Sequence, residues 1–476
     1  MHLTPSASLL PLNDGTTLAL HEIVRVVPDK RWVCRGQWNN QTVFAKIFFG
    51  KKNQYYAKRD ADGVRALLGA NILTPKLLLA RQSQDGKAEV LIFEALVPVE
   101  NCEILWQKSQ SAERLSLAKK LCQTLAEHHA ANLLQTDLYL KNFLVFQEDI
   151  VTLDGDGIRT FKPLSEKQAL ENLAVLWSKM DVLEVEAWAK TLLENYQERH
   201  PILQFDLQKL NTLSAHSRIQ AAEKYAKKVL RTCTDVAVRK TDGNVVAVAR
   251  AYVEVLQNLT IAYLDAAVQN VKPLKKGTTC TVAVAHFAEE SVVIKRYNIK
   301  HVGHFFWRML RKTRAENSWV NAHRLILLGI STAKPVALVE QRFGCLKGKA
   351  YFLTEFLDAP DIKQFFKQST ASAARAAVVK NTVQLFYRLF LLNISHGDFK
   401  ANNIKIKDLQ PVLIDLDSMR QHRSHFFAQS AHVRDLKRFM QNWKDDASLY
   451  NAFLKTFKVV YQDHAVLKKA RLFIED

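Results

Sequence analysis

Three polar residues at fixed intervals in HGDFKANNIKIKDLQPVLIDLDSM have types suited to one kind of chemistry: Asp398, Asn403 five positions on, and Asp415 after an apolar run. A carboxylate beside a hydroxyl can take its proton, while an amide oxygen and a second carboxylate can hold a divalent cation. Lys295, which ends the β-branched run VVIK, can bring a positive charge to phosphates from a separate strand. Together these parts suit phosphoryl transfer, in which orientation and charge neutralisation carry most of the catalysis. A lone Asp-x4-Asn more often caps a turn, so the case rests on the whole ordered set.

That set occurs twice. LLQTDLYLKNFLVFQEDIVTLDGDGI places Asp137, Asn142, Asp154 and Asp156 each 261 residues before Asp398, Asn403, Asp415 and Asp417, and Glu94 keeps the same offset from Glu355. Lys46, ending VFAK, matches Lys295 at an offset of 249. The slippage falls where the second half carries the longer segment YNIKHVGHFFWRMLRKTRAENSW. After it, RALLGANILTP and HRLILLGISTA show helical spacing ending in a turn. Each half is therefore predicted to run from β-rich, through one helix and a strand with a short connector, to mostly helical. Helical patterns from Glu166 to Leu230 close the first half, Arg239–Arg250 reads as a turn and a strand, and Tyr252–Val271 reads as a helix. The expected cut lies near residue 240, giving units 1–240 and 241–476.

The second half resembles the Kdo and heptose lipopolysaccharide kinase family, relatives of the protein kinases, through VVIKRYN, LLGISTAKPVALVE, AYFLTEFL, HGDFKANNIKI and VLIDLDSMRQH, about Lys275 to Trp443. The resemblance implies an α+β fold of two tandem protein-kinase-like bilobal domains, each a small β-rich lobe on a helical lobe, the N-terminal one divergent. By it Asp398 is the catalytic base, Asn403 and Asp415 hold Mg²⁺, and Lys295 holds the phosphates of ATP. Backbone groups of Glu355, Phe356 and Leu357 meet the adenine. The matching positions of the first half are Asp137, Lys46, Asn142 and Asp154. The implied reaction is phosphorylation of a heptose or Kdo hydroxyl in the lipopolysaccharide inner core, by a cytoplasmic protein on the inner face of the bacterial inner membrane.

Several features depart from the protein-kinase pattern. No G-x-G-x-x-G precedes either lysine, only Gly36 and Gly277; IDLD stands for DFG; and the chain after Asp417 is too short for a long peptide-binding segment, which favours a sugar acceptor. A protein kinase, or an inactive scaffold for core assembly, are the alternatives. Glu316 is the only acid between Lys295 and Glu340 available to pair with Lys295, and it reads equally as a solvated helix start. In the first half Gln135-Thr136 replaces His396-Gly397, and Asp60 or Asp62 is positioned to pair with Lys46. That half reads as a second active kinase, a nucleotide-binding regulator or an inactive scaffold.

The chain of 476 residues is 48% apolar and carries a net charge of +20, with 32 Lys and Arg against 27 Asp and Glu up to Lys240 and 35 against 20 beyond it. Such a balance points to a polyanionic partner, chiefly for the second half. Lys295 to Arg314 holds seven basic residues and no acid, interleaved with Phe305, Phe306, Trp307, Met309 and Leu310. A helix from about 303 to 316 would suit an anionic membrane, or pack its apolar face on the small lobe. No base-reading or stacking motif accompanies the charge, so no nucleic acid is expected. The six cysteines are too scattered for a zinc ribbon or a disulfide framework, which fits a reducing cytosol. No stretch approaches a membrane span, and the N-terminus lacks a secretory signal. His128-His129 lacks a carboxylate at ligand spacing, and Trp106, Trp177, Trp188, Trp319 and Trp443 read as core. The sequence sets no oligomeric state.

Overall fold

Alternation along Gln41–Phe48 sends Val43, Ala45 and Ile47 into one apolar layer with Leu18, Cys34, Val90 and Ile92, and turns Lys46 to the opposite face. The computed structural model describes residues 8–241, 243–271, 274–277, 280–287, 290–297, 312–343, 346–462 and 464–472. Residues 301–311, which carry most of the expected basic amphipathic helix, lie outside the described residues. Two compact units, Met1–Ser217 and Arg218–Asp476, make up the chain.

The first unit opens with a six-stranded antiparallel sheet in the spatial order Ser8–Pro11, Thr17–Val27, Arg31–Trp38, Gln41–Phe48, Glu89–Glu94, Leu77–Gln82. The helix Asn53–Gly69 packs Ala57, Ala61 and Val64 against Phe48, Leu91 and Phe93, the face on which Lys46 stands. A helical lobe follows, built on Ser111–Ala130, Glu166–Trp177 and Val182–Arg199, with Leu121, Leu125, Leu173, Trp177, Leu192 and Tyr196 in its core. Ser165 and Gln168 cap the second of these helices reciprocally.

The second unit repeats the plan with a seven-stranded antiparallel sheet ordered Val236–Thr241, Asn244–Ala249, Pro335–Phe343, Leu346–Glu355, Glu290–Tyr297, Cys280–Phe287, Lys275–Lys276. Val236–Ala249 belongs to this sheet, and the Val229 carbonyl accepts a 3.0 Å bond from the Trp319 indole. The division therefore falls at 217/218, inside the helix Leu207–Lys228, upstream of the cut near 240 read from the sequence. The helix read over Tyr252–Val271 is shorter: after a single 3-10 turn, Arg250–Tyr252, it begins at Ile261, where Thr260 accepts from Tyr263 N–H, and ends at Asn270. The helical lobe of the second unit packs Phe386, Phe399, Phe439, Phe453, Phe457 and Trp443 in edge-on and stacked contacts.

Both units carry the same hairpin after the first Asp of the repeat. Phe143–Phe146 pairs with Asp149–Thr152, and Ile404–Lys407 with Gln410–Leu413. Gln147 and Glu148, like Asp408 and Leu409, have positive φ at both central turn positions, the type I′ geometry whose twist suits a two-residue connection. Asp154 and Asp415, just beyond, are left-handed as well, at φ 67° and 62°.

In the first unit the turn at Asp154 meets the helix Asn53–Gly69 without side chains between them: a Cβ on Gly63 would lie 1.9 Å from the Gly155 oxygen, and one on Gly155 2.2 Å from the Asp60 oxygen. Gly63→Ala is therefore expected to destabilise the protein by ~1–3 kcal/mol, read as a lowered melting temperature. Buried histidines add an acid sensitivity. Burial depresses His128 and His432 to about 3 and His129 and His323 to about 4. Their unfolded pKa is near 6.5, so the stability they contribute is complete above that value and is lost as pH falls toward 4. Melting temperature should fall steeply between pH 6.5 and 4. His432→Gln, which keeps a hydrogen-bonding group but cannot titrate, should show a shallower fall.

Candidate active site

Strand alternation places Lys295 on the face of Glu290–Tyr297 opposite Val292 and Ile294, which are buried in the sheet's apolar layer. Its Nζ lies 2.5 Å from Asp415 Oδ1 and 3.2 Å from Asp417 Oδ2. Arg314, at the start of the helix Arg314–Leu327, reaches Asp417 Oδ2 at 2.6 Å. Burial opposes charge on both Lys295 and Asp415, but the pairing prevails: the ammonium's pKa is raised, mainly by Tyr297, Asp415 and Asp417, and the carboxyl is held below its usual range by Lys295. Glu316 does not take part. It is buried on Lys347, 2.5 Å away, with Lys312 at 3.9 Å, so the open question of an acidic partner on this helix resolves in favour of the aspartates of the turn.

The loop at Asp398 is held from two sides. Asn403 Nδ2 donates to the Asp398 carbonyl at 2.9 Å, and the Asn403 carbonyl accepts from Ile414 N–H at 3.0 Å, tying Asn403 to the residue before Asp415. Buried His396 has its pKa lowered by desolvation, and its Nε2 bonds the Ile414 carbonyl at 3.1 Å. Asp435, buried on the helix His425–Met440, accepts from His396 N–H at 2.7 Å and Gly397 N–H at 3.0 Å. Its pKa is pushed up to about 6 by burial, against the pull of those two bonds. The Asp398 carboxylate faces cations: Arg438 Nη2 lies 2.6 Å and Lys400 Nζ 3.2 Å from Oδ1.

In the first unit the matched residues meet in the same manner. Asn142 Nδ2 donates to the Asp137 carbonyl at 2.9 Å and Leu153 N–H to the Asn142 carbonyl at 2.8 Å. Gln135, standing where His396 does, donates to the Leu153 carbonyl at 3.4 Å. Lys46 Nζ lies 2.7 Å from Asp60 and 3.2 Å from Asp154 Oδ1. Asp60, fully buried, is thus the helix acid; Asp62 is exposed and pairs with Lys58 and Arg65. Arg31 adds a second cation, 3.4 Å from both Asp60 and Asp154. Tyr139 replaces Lys400, and Asp137 has no ion pair among the described residues. His128 bonds Thr152, and His129 bonds Tyr196 and Asn172.

Residues 271–463 match the model of the lipopolysaccharide kinase (Kdo/WaaP) family. The second unit is similar to lipopolysaccharide kinases. The similarity implies a kinase, a phosphotransferase that draws on ATP and acts on sugars of the lipopolysaccharide core. A comparison with curated proteins gave no match. Among solved structures, vaccinia-related kinase 3 aligns at 12% identity over 55% of this chain and 86% of its own, with a TM-score of 0.29, too loose a superposition to bear an argument.

The kinase loop offers hard oxygen donors of the type Mg²⁺ takes. Asn403 spends its Nδ2 on Asp398, which leaves Oδ1 as an acceptor, and Asp415 Oδ2 has no partner among the described residues. Of the connector residues, Glu355 N–H bonds the Lys334 carbonyl and Phe356 N–H the Ser291 carbonyl. The Glu355 side chain accepts from Lys334 N–H at 3.0 Å, and Leu357 N–H has no acceptor among the described residues. Sequence reasoning missed Asp435, Lys400, Arg438 and Arg314. Lys400 stands two residues after Asp398 in the same motif, and Arg314 lay inside the basic run; Asp435 and Arg438 sit in an ordinary amphipathic pattern that carries no signal. Asp435→Asn would leave one of two buried N–H groups without an acceptor. It should destabilise the protein by ~1–3 kcal/mol and lower kcat more than it raises the KM for ATP, as steady-state kinetics and melting would show.

Proposed function

We propose that the second unit transfers the γ-phosphoryl group of ATP to a hydroxyl of a heptose or Kdo residue in the lipopolysaccharide inner core. The acceptor oxygen bonds to the γ-phosphorus as the bond to the β–γ bridging oxygen breaks, ADP leaves, and Asp398 takes the hydroxyl proton. The observation that carries this reading is the convergence of Lys295 with Asp398, Asn403 and Asp415, a strand residue more than a hundred positions before the loop and turn it meets, within the segment that matches the family. In this reading Lys295 and Lys400 face phosphate oxygens, and Leu357 N–H meets the adenine. Asn403 and Asp415 would hold Mg²⁺, which when bound supplies charge neutralisation at the phosphates.

A sugar acceptor is favoured over a peptide because only Ser418–Ser424 separates Asp417 from the helix His425–Met440, leaving little chain to build a peptide platform. The first unit is a second, divergent kinase-like domain in this reading, supported by the recurrence of its hydrogen bonds at an offset of 261. Its Asp137 faces neither of the cations that flank Asp398, and the first unit serves as a second kinase, a nucleotide-binding regulator or a scaffold. No helix among the described residues is long and apolar enough to cross a membrane. The excess of positive charge beyond Lys240 supports recruitment to the anionic cytoplasmic face of the inner membrane.

Asp398→Asn should lower kcat by roughly 10²–10⁴-fold with little change in ATP affinity, and cells carrying it should lack one phosphate in the mass of their lipopolysaccharide core. Restoration of that phosphate by Asp137→Asn places the chemistry in the second unit. An unchanged core mass in cells lacking the whole protein would overturn the reading.

A further inference from the structure

Beside Asp398, the helix His425–Met440 turns Arg434, Lys437 and Arg438 outward at i, i+3 and i+4, on one face. With Lys400 they line a cleft of about 650 Å³. Its single acid is Asp435, and both carboxylate oxygens there are already taken by His396 and Gly397 N–H. Arg434 and Lys437 have no ion-pair partner among the described residues. Cations in a last helical turn complement the helix dipole, and Asp398 pairs with Lys400 and Arg438, which leaves Arg434 unaccounted for. Arg434 and Lys437, exposed on the cleft and paired with no carboxylate among the described residues, leave it an excess of positive charge that favours an entering anion. Arg438 belongs to the cleft and to the candidate base at once, because its guanidinium sits 2.6 Å from Asp398 Oδ1.

We propose that this cleft binds an anionic group carried by the acceptor molecule, a phosphate monoester or a carboxylate, and that the anion draws Arg438 off Asp398 and so frees the carboxylate to receive the hydroxyl proton. The inference rests on the kinase reading for the second step only. Arginine suits the task because its planar fork pairs bidentately with either anion and can exchange one for another. An uncharged sugar leaves the Arg438–Asp398 pair closed. Acceptor charge is then required twice, once for binding and once for exposing the base.

Titration calorimetry of the full-length protein with glucose 6-phosphate, glucuronate and glucose tests the first step, the two charged sugars separating phosphate from carboxylate recognition. At least one charged sugar should bind at least about tenfold tighter than glucose, and the Arg434→Gln/Arg438→Gln protein should lose that preference, a change of about 1.4 kcal/mol. Lys437→Glu should weaken the same ligand. All three positions are exposed, and melting temperature reports whether the variants fold. For the second step, Arg438→Gln should raise ATP hydrolysis in the absence of acceptor, and Arg438→Lys should restore the low rate. Equal affinity for glucose and both charged sugars, or a preference that survives the double variant, overturns the cleft. Hydrolysis unchanged in Arg438→Gln overturns the release of Asp398. Absence of Asp398-dependent ATP turnover in the unaltered protein would defeat the kinase reading instead, while the calorimetry would still decide the cleft.

Discussion

A lysine nearly buried under a β-sheet has to find an anion, and in both units that need joins the sheet to the turn after the hairpin. Lys295 lies on the face of its strand where Tyr297 is buried, and only 13% of its side chain meets solvent. Desolvating an ammonium there costs several kcal/mol unless a carboxylate shares the site. Asp415 and Asp417 supply the anions, and because they follow the hairpin, Asp415 in a left-handed conformation and Asp417 in the 3-10 turn after it, they reach the lysine only if the hairpin closes in register. The small lobe and the turn after the hairpin are therefore coupled by charge, beside the buried bonds of Asn321 Nδ2 to the Leu416 and Met419 carbonyls. A nucleotide's phosphates would enter where this pair now closes on itself, exchanging one anionic partner of Lys295 for another.

The two units satisfy that constraint differently. In the first, Lys46 has a helix carboxylate, Asp60, and Arg31 shares the load on Asp154. In the second the helix presents a cation instead: Arg314 takes Asp417, and Lys295 depends wholly on the turn. Reversing the sign of the helix partner keeps the local charge balanced while leaving Asp415 with a single cation and a spare oxygen. Asp154 is held by two cations, a poorer start for a divalent ion.

Much of this was legible in the sequence because it depends on local spacing. The pairs Asp137–Asn142 and Asp398–Asn403 close a bond across five residues, and the alternation of VFAK and VVIK fixes which face each lysine takes. The offset of 261 then marked the second copy. What escaped notice depends on tertiary approach. Gly63 and Gly155 look like ordinary glycines until the helix and turn backbones meet, and Asp435 looks like any helix carboxylate until the loop's N–H groups are found on it. Glu316 was the reverse case, an acid at a plausible position whose nearest cation proved to be Lys347 on a neighbouring strand. The cut near 240 passes through the hairpin Val236–Ala249, which pairs within the second unit's sheet, and a strand's spacing carries no record of its neighbour.

The anchors of the two loops show why the charges around them travel as sets. Asp435 accepts the N–H groups of residues 396 and 397, whereas Asn172 donates to the carbonyl of Gln135, and Thr136 turns its own N–H and hydroxyl to the Gly157 carbonyl. One loop is held by an anion through its donors and the other by neutral groups, yet both end with the same 2.9 Å bond from asparagine to the Asp carbonyl. That bond is local and forms under either anchor, so it cannot by itself distinguish the two loops. The distinction lies in what the anchor demands: two carboxylates, Asp398 and Asp435, separated by a single turn of loop need cations nearby, and Lys400 and Arg438 meet that need. With a neutral anchor the demand disappears, and Tyr139 can stand where a lysine would. The cations around Asp398 thus follow from how its loop is held, and the same cations place an anion-binding surface next to the group that must receive a proton.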